Sequence, residues 1–294
     1  MPELPDLTVY LESLDRRVLG HVLERVVIRQ PFLLRSAVPP LASVEGKRVT
    51  GLRRIGKRIV FALEADLFLV LHLMVAGRLH WADTGSKPPA RNAMATFAFD
   101  NGMLVFTEAG TKRRASLHVV EGEAALAAMD PGGMEVMDAS FESFAARLRL
   151  ENHTLKRALA DPHLFAGIGN AYSDEILHRA KLSPVTLSRS LADEEVARLF
   201  EATREVLREW TDRLRAESSG KFPEKVTAFR DGMAVHGRFG KPCPVCRSPV
   251  QRIRYAENET DYCARCQTGG RVLADRSLSR LLKSNWPRSI DELE

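Results

Sequence analysis

Apolar residues recur three and four positions apart at the start of the chain, at Leu7, Leu11, Leu14 and Val18, and Gly20 follows them. That spacing predicts an amphipathic helix closed by the glycine. A strand-like pattern then takes over, with short apolar or alternating runs over 21–28, 48–53, 58–63, 67–75, 95–99, 103–107 and 117–120. Pro39-Pro40, Asp83-Thr84-Gly85 and Asn101-Gly102 separate several of these runs, and the last is a strong hairpin signal. Several short strands behind one helix predict a two-layer β-sandwich.

Asp130-Pro131-Gly132-Gly133 reads as a linker. Beyond it the pattern turns helical over 141–150, 154–160, 172–180 and 193–215, and Ser218-Ser219-Gly220 ends the last run. The expected architecture is a multidomain α+β chain: a β-sandwich with its leading helix at 1–130, a helical domain at 131–230, a cysteine-bearing finger at 231–268 and a tail at 269–294. The tail carries apolar Leu278, Leu281, Leu282 and Trp286.

Composition narrows the class. The 294 residues are 45% hydrophobic and 28% charged, as in an ordinary soluble protein. The longest apolar run, 67–75, is interrupted by His72 and falls far short of the ~20 residues of a membrane span. The N-terminus lacks the basic and apolar run of a secretion signal, so a cytoplasmic location is expected. Charge is unevenly placed: residues 221–294 hold 14 Lys/Arg against 9 Asp/Glu, which is the whole of the net +5. That last quarter is where a polyanion contact is expected.

The four cysteines explain part of that segment. Cys243 and Cys246 are followed, after 16 residues, by Cys263 and Cys266. Two such pairs match the spacing of a tetrahedral zinc site, and four thiolates close the shell, so the ion is expected to be structural. A redox pair would not need the second knuckle. The stretch 250–255 and Asp261-Tyr262 are expected to form a small hairpin between the knuckles.

Two further stretches carry chemistry. Gly167-Ile168-Gly169-Asn170 precedes a helix without the strand and third glycine of a dinucleotide fingerprint. It reads instead as a turn that offers backbone N–H groups and the Asn170 side chain to a phosphate. At the terminus, removal of Met1 leaves Pro2 with a secondary amine, and Glu3 follows it. An α-amine is partly unprotonated near neutrality and can form an iminium with a sugar carbon.

Pro2-Glu3-Leu4-Pro5, Lys57 between two strands, Gly167 to Tyr172 and the four-cysteine hairpin occur in an order that resembles the formamidopyrimidine-DNA glycosylase / endonuclease VIII family. The resemblance covers residues 1 to about 267. It implies an N-terminal β-sandwich, a helix–two-turn–helix domain and a zinc finger, with double-stranded DNA carrying damaged bases or abasic sites as the partner and a monomer as the working form. Carried over, Pro2 is the nucleophile at C1′, Glu3 the acid/base and Lys57 the lysine beside the lesion. His72 and Asn170 match phosphate contacts, and Lys156, Tyr172 and Glu175 occupy matching helical positions. The implied activity is base excision followed by β-elimination at the resulting abasic site.

The chain departs from the family pattern in three places. Val75, beside Met74, stands where purine-specific members place a gap-filling Met. The loop from Thr107 to Ala115 has Lys112 and Arg113 for DNA but no aromatic wedge. Asn258 stands where an arginine usually grips the lesion's phosphates, with Arg252, Arg254 and Arg265 as possible substitutes. The catalytic trio is kept while the lesion-reading parts differ. Alternatives in view are a lyase restricted to abasic sites, a non-catalytic binder of damaged DNA, and a protein-interaction module using the tail.

Overall fold

The structure, a computed structural model, describes residues 1–85, 92–109, 112–224, 226–227, 229–255, 258–274 and 286–293. Two compact units emerge: Met1–Pro131 with Trp210–Thr227, and Gly132–Glu209 with Ala228–Glu294.

In the first unit α1 (Leu4–Val18) buries Leu7, Tyr10, Leu14 and Val18 completely, as its spacing requires. Eight antiparallel strands follow: β1 (Val22–Ile28), β2 (Lys47–Ile55), β3 (Arg58–Leu63), β4 (Leu67–His72), β5 (Gly77–Asp83), β6 (Ala93–Phe99), β7 (Gly102–Glu108) and β8 (Ser116–Glu121). They pair in the order β5-β7-β6-β1-β2-β3-β4-β8. Only Val22↔Arg48 and Leu23↔Lys47 join β1 to β2, so the ladder is thinnest there. Side chains from both halves, among them Phe97, Leu104 and Phe106 on one and Ile59, Leu69 and Leu117 on the other, meet in a single core. The expected sandwich with a leading helix is therefore present.

The two-residue period decides both faces of β3, β4 and β8. Odd-numbered Ile59, Phe61, Leu69, Leu71, Leu117 and Val119 enter the main core. Even-numbered Val60, Phe68, Val70 and Val120 form a smaller apolar layer with Leu126 of α2 (Glu123–Ala127) and Met129. One strand expectation needs correction. The run 67–75 is not one strand: β4 stops at His72, a tight turn follows, and β5 starts at Gly77. The turn is closed by the Gly77 N–H donating to the Leu73 carbonyl at 2.9 Å, with Met74 at φ +53.

The second unit holds α3 (Phe141–Arg149), capped by Ser140, α4 (Leu155–Ala160), α5 (Asn170–Ala180) and α6 (Asp193–Ser218) up to Glu209. Phe144 anchors its helical core against Phe165 and Phe200, with ring centroids 5.0 and 5.2 Å away. The hairpin β9 (Gln251–Tyr255) and β10 (Asn258–Tyr262) leads to α7 (Ala264–Thr268). None of the described helices is long and apolar enough to cross a membrane.

Candidate DNA-repair site and zinc centre

The N-terminus is built into the first unit. Glu3 is the N-cap of α1 and Asp6 its third helical residue; the two form a capping box in which the Glu3 N–H donates to the Asp6 carboxylate at 2.9 Å. Pro5 suits the first turn, where its missing N–H has no helical partner to lose. Pro2 and Glu3 are buried as a result. Burial pushes the amine of Met1, which precedes Pro2, below its ordinary value; Arg78 and Lys57 push the same way, and Glu3 and Asp6 oppose them.

Lys57 lies in the two-residue turn between β2 and β3, where Ile55 pairs with Arg58 and Gly56 takes φ +55. His72 closes β4 directly opposite Arg58. Desolvation, helped by Arg58, Lys57 and His118, drives its imidazole down to about 4, so it is neutral at pH 7. Val75 sits at the tip of the following turn, 65% exposed. Lys112 and Arg113 are both exposed; Gly110 and Thr111 of their loop lie outside the described residues.

Two residues that sequence reasoning passed over complete this region. Arg78 donates to the carbonyls of Gly77 and Val75 at 2.6 and 3.1 Å, bracing the turn, and is also a charged neighbour of the amine. Glu108, buried at the end of β7, accepts N–H groups of Arg114 and Ala115 at 2.9 and 3.2 Å. It anchors the loop that carries Lys112 and Arg113. A lone carboxylate closing the apolar run 103–107 was its signal in the sequence.

In the second unit the glycine turn does precede a helix. Gly167 takes φ +79, Gly169 caps α5 and Asn170 opens it, half-exposed. Lys156 sits beneath: its Nζ donates to the Asn170 carbonyl and the Asp174 carboxylate, both at 2.6 Å. The other Asp174 oxygen is 2.8 Å from His236 Nδ1. Glu175 accepts the N–H groups of Ala234, Val235 and His236 at 2.7 to 2.9 Å, though burial still raises its carboxyl above the usual range. Tyr172 is buried in the same helix.

The cysteines converge. Cys243, Cys246, Cys263 and Cys266 are free thiols whose sulfurs all lie within 4.8 Å of one another. Two sulfur pairs are 3.3 and 3.9 Å apart. A tetrahedral ion with Zn–S of ~2.3 Å places its sulfurs about 3.8 Å apart, so the donor set and its spacing fit one structural zinc. His178 Nε2 is 3.3 Å from Cys243 Sγ, an outer contact able to orient that thiolate. The suggested substitutes for the missing arginine carry carboxylate partners: Arg252 with Asp261 and Glu259, Arg254 with Glu259, and Arg265 with Asp291.

Three family models match the chain in order: the formamidopyrimidine-DNA glycosylase N-terminal domain over residues 1–114, the H2TH domain of the same enzymes over 129–218, and the zinc finger found in FPG and IleRS over 240–269. The chain is similar to the formamidopyrimidine-DNA glycosylases of Thermus thermophilus, 36% identical over 92% of this chain, and of Heliobacterium modesticaldum, 34% identical over 91%. Both relatives are covered over their whole length. It belongs to the formamidopyrimidine-DNA glycosylase family.

Among solved family structures, the MutM (Fpg) protein of Thermus thermophilus superposes with a TM-score of 0.72 at 33% identity, covering 90% of this chain and 98% of that one. Lactococcus lactis Fpg in complex with FAPY-dG DNA shares the fold at a TM-score of 0.80 and 24% identity, over 90% of this chain and all of that one. The family's zinc-finger model stops at residue 269, but this chain continues. Its described tail folds back: the Val272 N–H donates to the Arg288 carbonyl at 3.0 Å and the Ile290 N–H to the Gly270 carbonyl at 2.8 Å. Val272, Leu273 and Ile290 share a core with Tyr262 and Ala264, and Trp286 packs on it. Leu278, Leu281 and Leu282 lie outside the described residues.

Proposed function

We propose that the chain is a bifunctional DNA glycosylase and abasic-site lyase of base excision repair, acting on double-stranded DNA. The observation that carries this reading is the terminus itself. In a chain that the family's models match over residues 1–114, 129–218 and 240–269, Pro2 and Glu3 are buried, and the Met1 amine next to them lies among Lys57, Arg78, Glu3 and Asp6. Once Met1 is removed, the same burial and cations are expected to act on the Pro2 amine and to favour the unprotonated form that attack requires.

With Met1 removed, the Pro2 nitrogen attacks C1′ of an everted nucleotide, the bond from C1′ to the base breaks, and the base leaves with a proton. Glu3 supplies a proton to the ring oxygen as the sugar opens, giving the iminium. Loss of the C2′ proton then expels the 3′ phosphate, and water releases the unsaturated aldehyde and regenerates the amine. Lys57 and His72 hold phosphates on one side. Asn170 holds one from the helix start, which Lys156 braces from below. The proposed division of labour is chemistry in 1–130, backbone binding in 131–230 and the finger at 231–268.

Val75 and the loop without an aromatic wedge favour a second reading, a lyase that opens abasic sites without excising bases. Borohydride trapping on an abasic duplex is expected to give a covalent adduct that Pro2→Gly abolishes. No adduct with any lesion or abasic duplex overturns both readings. Product-resolved nicking across oxidised purines, oxidised pyrimidines and abasic sites separates them.

A further inference from the structure

The outer face of β3, β4 and β8 changes character along its length. At one end it is apolar, sealed by Leu126 and Met129. At the other end the same even-numbered positions carry Arg58, His72, Ser116 and His118. Arg58 pairs with His72 and His72 with Ser116, so three of them form a row across three strands, and His118 follows on β8. Arg35 extends the row past β8: its N–H donates to the Leu117 carbonyl at 2.9 Å, and the neighbouring Val119 N–H is fixed by Ser36 Oγ at 2.7 Å. Lys57 flanks the other end.

The charged and titratable groups that act on His72 are Arg58, Lys57 and His118, and those that act on His118 are Arg58 and Arg35. All are cations or titrate to cations. Both imidazoles are lowered from their ordinary value and so uncharged near neutrality, which leaves Lys57, Arg58 and Arg35 as the fixed charges. Arg58 donates to the Met129 carbonyl at 2.9 Å and Arg35 is exposed. Such a row of cations and neutral donors suits an anionic backbone. With strands ~4.8 Å apart, the row from β3 past β8 spans about 14 Å. That is long enough to meet more than one phosphate of a single DNA strand, which carries a charge every ~3.4 Å of helix axis.

We propose that Arg35 and His118 extend the phosphate-binding row begun by Lys57 and His72, so that β3, β4 and β8 grip the backbone of one DNA strand beyond the lesion. This rests on the reading of the chain as a DNA-repair enzyme. The two residues act differently. Arg35 brings a permanent charge and displaces counterions, whereas His118, lowered from its ordinary value by burial and by Arg58 and Arg35, is a neutral N–H donor at pH 7.5.

Anisotropy titrations at pH 7.5 with two 20-bp duplexes, one undamaged and one with a reduced abasic site, test this. Arg35→Ala is expected to weaken binding to both by about five- to tenfold at 0.1 M salt and to make the salt slope shallower by about one. His118→Ala is expected to weaken both about threefold with the slope unchanged, and His118→Asn, which keeps a donor, to restore most of the loss. Arg35→Gln and thermal melting guard against misfolding. Binding of Arg35→Gln with His118→Asn, and of the two alanine variants, all within twofold of the parent overturns the row. A parent chain that binds both duplexes but leaves no borohydride adduct sinks the catalytic reading while the row stands or falls on the titrations. A parent that binds neither overturns both.

Discussion

His72 shows how one side chain links chemistry to stability. Its imidazole is held near 4 by burial and surrounding cations, while an unfolded chain titrates it near 6.5. Above pH 6.5 neither state carries the proton, and the contribution of His72 to stability is flat. Between about 6.5 and 4 the unfolded state takes up a proton that the folded state refuses, so stability falls as pH falls. His72→Asn is expected to flatten part of that slope in urea melts from pH 7 to 4.5. An unchanged slope rejects the assignment. In the proposed function, the same neutrality makes His72 a hydrogen-bond donor without charge.

Elements explain what periodicity could and could not reveal. The helix at 4–18 was legible because four apolar positions and a terminal glycine agree, and β3 was legible to the residue because its run is bounded by Gly56-Lys57 and by a polar turn. The turn after His72 was hidden because its residues, Leu73, Met74 and Val75, are as apolar as the strand before it. Only Gly77 marks it. A Cβ there would lie 2.1 Å from the Leu73 carbonyl oxygen and under 3 Å from two further backbone atoms. Gly77→Ala is therefore expected to cost about 2 kcal/mol or more by denaturant titration and to disturb the tip that presents Val75. A cost below about 0.5 kcal/mol, the range of harmless surface changes, contradicts this close approach. Site residues divided the same way. The cysteines were legible by type and spacing, and Pro2, Glu3, Lys57 and Asn170 are proposed by type and order, whereas Arg78 acts through backbone carbonyls that no sequence pattern marks and Glu108 is marked only by closing an apolar run.

For the molecule as a whole, the zinc finger is the part most altered by its surroundings. Its sulfurs are preassembled, its β10 aspartate Asp261 accepts from Arg252 and the Gly237 N–H, and its apolar side is completed by the tail. Ile290 is fully buried in that shared core, so Ile290→Ala is expected to cost about 2–4 kcal/mol locally. Faster zinc release to a colorimetric chelator and a lower melting temperature are the expected readouts; release at the parent rate contradicts the coupling. Chelation of the parent chain is expected to lower its melting temperature, because metal binding to a closed four-thiolate site contributes directly to folding.

That shared core limits how far the finger can travel. A finger confined to residues 240–269 could be handled as a cassette, swapped between homologues when lesion preference is engineered. Here a cut at residue 269 would strip cover from Tyr262 and Ala264 and remove the Asp291 partner of Arg265. A chimera that borrows this finger must borrow the residues that follow it too.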